Sequence, residues 1–174
     1  MIRPAVPADA AGIAEVHVRS WQAAYAGLLP DDFLQGLSIE SATRTWATRL
    51  AEPRPDGAIL VTSGQGSAIA GFAATGPSRD EDASPETGEL YSIYLLPTAW
   101  RHGLGTALHD HAMTTLAGTF ATATLWVLST NTRARRFYER AGWTPDPRTK
   151  IDTVADGRIT LEEVRYRFSL RDRS

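Results

Sequence analysis

The chain has 174 residues, a formal net charge of −2, 43% hydrophobic residues and no cysteine. That length holds one domain with a sizeable core and is too short for two ordinary ones, so residues 1–174 are read as a single domain. Without cysteine there is no disulfide framework, thiolate metal site or acyl-cysteine intermediate, and the slightly acidic balance argues against a general nucleic-acid binder.

In chain order, Ile2-Arg3-Pro4 reads as a short strand, and Pro7-Ala8-Asp9 opens a helix on which Ile13, Val16, His17, Trp21 and Ala24 recur at helical spacing. Gly27 ends it. Asp31-Asp32 caps a second helical region, with Trp46 and Leu50 facing inward near its end. Ala58–Thr62 and Ala68–Thr75 are strands, joined into a hairpin by Gly64-Gln65-Gly66. Residues 76–88 are polar, acidic and marked by glycine and proline, and form the one loop long enough to suggest a functional rim.

From Glu89 the residues alternate as in a largely buried strand until Pro97, which cannot donate to a ladder. Gly103 and Gly105 bracket the start of a helix carrying Leu104, Ala107, Leu108, Ala112 and Leu116. Thr122–Leu128 is another strand. A helix follows from Thr130 or Asn131, with Ala134, Phe137, Tyr138 and Ala141 on one face and Gly142 placed to stop it. Residues 145–157 read as a proline- and glycine-marked loop, and Glu162–Leu170 as a half-exposed terminal strand. The order β-α-α-β-β-β-α-β-α-β predicts one α/β domain with a mixed sheet of about six to seven strands flanked by helices.

A strand, a glycine-bearing turn and a helix make a device for holding anions. The first N–H groups of a helix lack internal partners, and glycine removes the Cβ atoms that would keep a phosphate away. Arg101, His102, Gly103, Leu104, Gly105 and Thr106 are therefore read as a phosphate cradle; a turn that uses glycine for geometry alone fits the same residues. The nucleoside-triphosphate loop is excluded because Lys and Ser or Thr do not follow the last glycine. The dinucleotide fingerprint is excluded because Leu108 stands where its third glycine belongs.

Pro97 followed by Trp100-Arg101-His102-Gly103-Leu104-Gly105 resembles the coenzyme A signature of the GCN5-related N-acetyltransferase (GNAT) superfamily. Trp100 replaces the Gln or Arg usual three residues before the first glycine. A second block, Asn131, Ala134, Phe137, Tyr138, Glu139 and Gly142, resembles that family's N-x-x-A-x-x-F-Y-E-x-x-G segment. The resemblance spans about Ile2 to Leu170. It implies a sheet splayed between the Glu89 and Thr122 strands, with acetyl-CoA as co-substrate; no His-Glu-x-x-His pattern exists in the sequence, and no metal is expected.

The resemblance also implies roles. Ile93, Tyr94 and Leu95 occupy the positions whose backbone polarises the thioester, and Tyr138 matches the usual general acid, although an aromatic at this spacing also reads as core. Glu89 stands where some relatives place a glutamate base; a solvated strand-entry carboxylate is its other reading. Trp126 takes the place of an alternative base. Asn131 is read as a pantetheine anchor or a helix cap, and Trp21 and Tyr25 as acceptor contacts or core. His17 reads as packed or capping, and His109 and His111 face different ways.

Residues 1–90 hold 6 Arg and 12 Asp or Glu, whereas residues 91–174 hold 12 Lys or Arg and 8 acids. A basic half suits a phosphate cofactor and an acidic half a cationic acceptor; solvated surface charge is the plain alternative. The expected activity is direct acetyl transfer to a primary amine of a small cationic molecule or peptide. A non-catalytic CoA-binding module and a toxin acetylating aminoacyl-tRNA are the competing readings, the latter disfavoured by charge. No apolar run reaches membrane-span length and no signal-peptide core is present, so a cytoplasmic protein without nucleic-acid or membrane partners is expected. The resemblance admits a homodimer but marks no interface.

Overall fold

The computed structural model describes residues 1–52, 54–64 and 68–171. Strand β1 (Ile2–Pro4) pairs antiparallel with β2 (Ala58–Ser63), which pairs antiparallel with β3 (Ile69–Pro77). Strand β4 (Thr87–Leu95) runs antiparallel to β3 and meets β5 (Thr122–Leu128) in parallel. Strand β7 (Ile159–Ser169) lies between β5 and the edge strand β6 (Thr144–Val154), antiparallel to both. The result is a seven-stranded mixed sheet in the order β1-β2-β3-β4-β5-β7-β6, which bears out the α/β expectation.

Helices cover both faces. On one face α1 (Ala10–Ala24) and α3 (Ile39–Ala51) lay Ile13, Val16 and Trp46 against Val61, Phe72 and Ala74. On the other, α4 (Leu104–Ala117) and α5 (Thr132–Arg140) bury Leu108, Met113, Leu116 and Tyr138 against Ala73, Leu125 and Tyr166. Strand alternation explains the split, since Phe72 and Ala73 point to opposite faces. Each fully buried large aliphatic side chain contributes about 1.5–3 kcal/mol, so this two-sided burial drives the fold. A smaller cluster joins Leu29, Leu34, Leu128 and Leu161 to Trp21 and Tyr25. No helix among the described residues is long and apolar enough to cross a membrane.

Four readings of the sequence need correction. The helical region from Asp31 is two helices, because α2 (Asp31–Gln35) stops at Gly36 and Ser38 caps α3 by accepting from the Ser41 N–H at 3.1 Å. Gly76 and Pro77 belong to β3 and Thr87 and Gly88 to β4, which shortens the acidic loop to residues 78–86. Residues 145–157 are not a loop: most lie in β6. An edge strand tolerates Pro145 and Pro147 because the register shifts between Pro145 and Thr149 and one strand face has no ladder to serve. Strand β7 accordingly begins at Ile159, after a turn in which Ala155, Asp156 and Gly157 take positive φ. The turn read at Gly64-Gln65-Gly66 extends outside the described residues.

Candidate active site

Strand β4 keeps company with β5 only briefly. Thr87, Gly88 and Glu89 pair with Thr122, Ala123 and Thr124, and no pairing follows beyond Thr124 among the described residues. The cause lies on the other side of β4. Ala74 faces Ser92 and Thr75 faces Leu90, so Tyr91 is an extra residue, a bulge that bends β4 away from β5. The gap opens into a cleft of about 640 Å³.

Backbone groups along that gap are set by alternation. The Leu96 N–H donates to the Ala70 carbonyl on the β3 side, while the Leu95 carbonyl accepts from Ser20 Oγ at 2.8 Å and Trp100 Nε1 at 2.9 Å. Leu95 therefore presents its peptide edge away from β3, and Ile93 does the same two residues earlier. The Tyr94 amide faces β3, and Tyr94 is among the residues that line the cleft.

At the end of β4 the chain turns into α4. Arg101 and the N-cap Gly103 both take left-handed backbone, at φ 65 and 77. This region is cheap only for glycine. The first helical backbone donor with a partner is Ala107, on the Gly103 carbonyl at 3.0 Å, and no side chain caps the turn. The N–H groups of Leu104, Gly105 and Thr106 are thus available, and a Cβ at Gly103 would point into open space. Arg101, Gly103, Gly105 and Thr106 line the cleft; the side chains of His102 and Leu104 do not.

Helix α5 closes the same side. Asn131 is its N-cap, Oδ1 accepting from the Ala134 N–H at 3.1 Å, and it also lines the cleft. Tyr138 is buried beside Phe137, Trp143 and Tyr166 yet reaches the cleft. Burial, reinforced by Tyr94, drives its phenol well above the usual range, so it stays protonated.

The opposite face of the gap is aromatic. Trp21 and Tyr25 on α1 and its C-terminal turn meet edge to face with centroids 4.8 Å apart, and both line the cleft with Tyr94. Burial raises the Tyr25 and Tyr94 hydroxyls as well, and Glu163 adds a smaller push to each. The buried Trp21 indole N–H lies near the Tyr94 hydroxyl without completing a hydrogen bond. His17 stacks on Tyr94 and accepts from Trp46 Nε1 at 3.2 Å, so it is a packed residue.

Glu89 does not join this constellation. It is 2% exposed and does not line the cleft, and both its carboxylate oxygens serve Arg79: Oε2 accepts from the backbone N–H at 2.9 Å and from Nε at 3.3 Å, and Oε1 from Nη2. Both oxygens are thus already engaged as acceptors, with none turned toward the cleft. Its observed work is to tie loop 78–86 to β4. The same loop is held from the far side by Arg165, paired with Asp80, Asp82 and Asp146.

Several cleft residues were not legible as such. Arg133, Arg136 and Arg140 line it from α5; their spacing of three and four residues marks a helical stripe in the sequence, but not the cleft it faces. The Arg133 guanidinium stacks 3.7 Å over the Trp100 ring, so the unusual residue of the first signature recruits a cation from α5. Glu163 is reached only through the β5–β7 pairing, opposite Leu128.

A model of the acetyltransferase (GNAT) family matches residues 18–143. The N-acetyltransferase YuaI of Bacillus subtilis (strain 168), itself uncharacterized, is 34% identical over 131 residues, covering 75% of this chain and 72% of the relative. The fold is shared with the PaiA N-acetyltransferase of Thermoplasma acidophilum in complex with coenzyme A (TM-score 0.70, 18% identity, 97% of this chain and 98% of that one). It is also shared with YncA of Salmonella typhimurium with its cofactor acetyl-CoA (TM-score 0.69, 22% identity, 98% and 93%).

Proposed function

Because this chain belongs to the acetyltransferase (GNAT) family, we propose that it passes the acetyl group of acetyl-CoA directly to a primary amine of a small cationic molecule or peptide. The carrying observation is the slot between β4 and β5, whose two faces differ in chemistry. One face offers free helix amides and the guanidiniums of Arg101, Arg133, Arg136 and Arg140, which suit a diphosphate and a further phosphate. The other offers phenols and a carboxylate, which suit an amine.

In this reading the Leu104, Gly105 and Thr106 amides with Arg101 grip the pyrophosphate, and Asn131 meets the pantetheine arm. The Ile93 and Leu95 amides donate to the thioester oxygen as negative charge builds. Tyr138 acts as donor to the departing sulfur: a phenol raised by burial stays neutral and gives its hydrogen bond only as thiolate develops. Glu89 is engaged by Arg79, so the proton of the attacking amine leaves through water at the open mouth. Trp21 and Tyr25 contact the acceptor.

Tyr138→Phe tests this assignment. Turnover, read as thiol release from acetyl-CoA over a panel of amines, falls by about a hundredfold, while calorimetric CoA affinity stays within about threefold. Equal turnover in both proteins removes Tyr138 from the acid role, and absence of heat with either CoA or acetyl-CoA removes the cofactor reading.

A further inference from the structure

Among the cleft-lining residues one side chain is a carboxylate, Glu163, set against four arginines. The sheet separates them. Along β7, Leu161 packs with Trp21 and Tyr25, while Val164, Tyr166 and Phe168 pack beneath α4 and α5. Alternation therefore puts Glu163 on the face of Leu161, across the sheet from Arg133, Arg136 and Arg140. Its negative charge is felt at the Tyr25 and Tyr94 hydroxyls, so it borders the aromatic walls of the acceptor half. Ring faces attract cations, and a carboxylate at their edge completes a site for one.

That place already holds a cation. The Lys150 ammonium from β6 stands 3.2 Å from Glu163 Oε2 and 4.6 Å over the Trp126 ring. The pair is partly exposed, 39% at Lys150 and 21% at Glu163, and a partly exposed ion pair of this kind exchanges easily for another. Glu163 also lies one strand beyond the slot, because β7 follows β5 at a spacing of about 4.8 Å. A nitrogen bound there is not the nitrogen that meets the thioester.

We propose that Glu163 is the acceptor-recognition carboxylate, binding a second positive charge on the amine substrate, and that Lys150 fills this place until the substrate displaces it. The preferred acceptor is thus an amine with two cationic centres. This rests on the transferase reading above, and its test separates the two.

Wild type, Glu163→Gln, Glu163→Asp and Lys150→Met are assayed for thiol release from acetyl-CoA with 1,5-diaminopentane and with n-pentylamine, after melting curves establish that each is folded. Wild type favours the diamine by about tenfold or more in kcat/KM. Glu163→Gln loses most of that preference through KM rather than kcat, and Glu163→Asp restores part of it. Lys150→Met acts in the opposite direction and lowers the KM for the diamine by about threefold, because a competitor has gone. A merely structural ion pair would make both deletions act alike. The proposal is overturned if Glu163→Gln keeps the wild-type preference, if Lys150→Met raises KM as Glu163→Gln does, or if wild type does not favour the diamine. Thiol release with other amines but neither of these two overturns the proposal and leaves the transferase standing; no release with any amine overturns the transferase reading itself.

Discussion

Lowering the pH from 7 to 4.5 asks His17 to take a proton in a place that resists one. The imidazole sits among the rings of Trp21, Trp46, Phe72 and Tyr94, with centroids 5.5–6.2 Å away, and its Nδ1 accepts from Trp46. Burial, and then the positive charge of Arg49, bring its pKa from 6.5 down to about 4. The folded value is the depressed one, so between those two limits the unfolded chain binds the proton and the folded chain does not. The stability is therefore fully present above pH 6.5 and is lost as pH falls toward 4. At about 1.4 kcal/mol per pH unit, the loss reaches about 2.5 kcal/mol by pH 4.5. That is a large part of the roughly 5–15 kcal/mol that holds an ordinary domain. Asp82, pulled down to about 2 by the Arg165 guanidinium, contributes outside this window. Urea unfolding followed by tryptophan fluorescence at pH 7, 6, 5 and 4.5 measures the effect against His17→Gln, which keeps an acceptor for Trp46 and cannot titrate. The difference between the two proteins should narrow by about 2.5 kcal/mol over the series. Parallel loss in both would refute the account.

Two further substitutions probe the scaffold around the cleft. Gly103→Ala forces a Cβ onto backbone at φ 77, into the open space where the proposed phosphate would lie; a cost of about 1 kcal/mol in stability accompanies a CoA affinity lowered about tenfold, and unchanged calorimetric affinity would count against the cradle. Arg165→Met leaves Asp80, Asp82 and Asp146 facing one another without their central cation, 3% exposed in the intact protein; destabilisation of about 3 kcal/mol and faster proteolysis within residues 78–86 are expected, and an unmoved melting temperature would contradict the clasp.

Local chemistry carried much of the fold into view. Pro97 after an alternating run, Gly103 before a helical one and Gly142 after another each act on their own few residues, and the elements they bound stand close to where the sequence places them. Strand β6 escaped because Pro145, Pro147 and Gly157 are the residues of a loop anywhere except at the edge of a sheet with a shifted register, and edge position is a property of the assembled sheet. The split of α2 from α3 is a local event too, made by Gly36 at the end of one helix and the Ser38 cap of the next.

The site divides along the same line. That the α4 start and Tyr138 could stand at one cleft was legible because they lie in contiguous motifs whose geometry is local: a helix start exposes its own amides, and a helix face gathers residues three and four apart. The pairing of Glu89 with Arg79 and the placing of Glu163 beside Tyr25 and Tyr94 were decided by tertiary structure, since each joins side chains brought together only by strand pairing and packing. A carboxylate shows its charge in the sequence but not its counter-ion. Which one is locked by a guanidinium, and which faces the cleft, follows from the order of strands in the sheet.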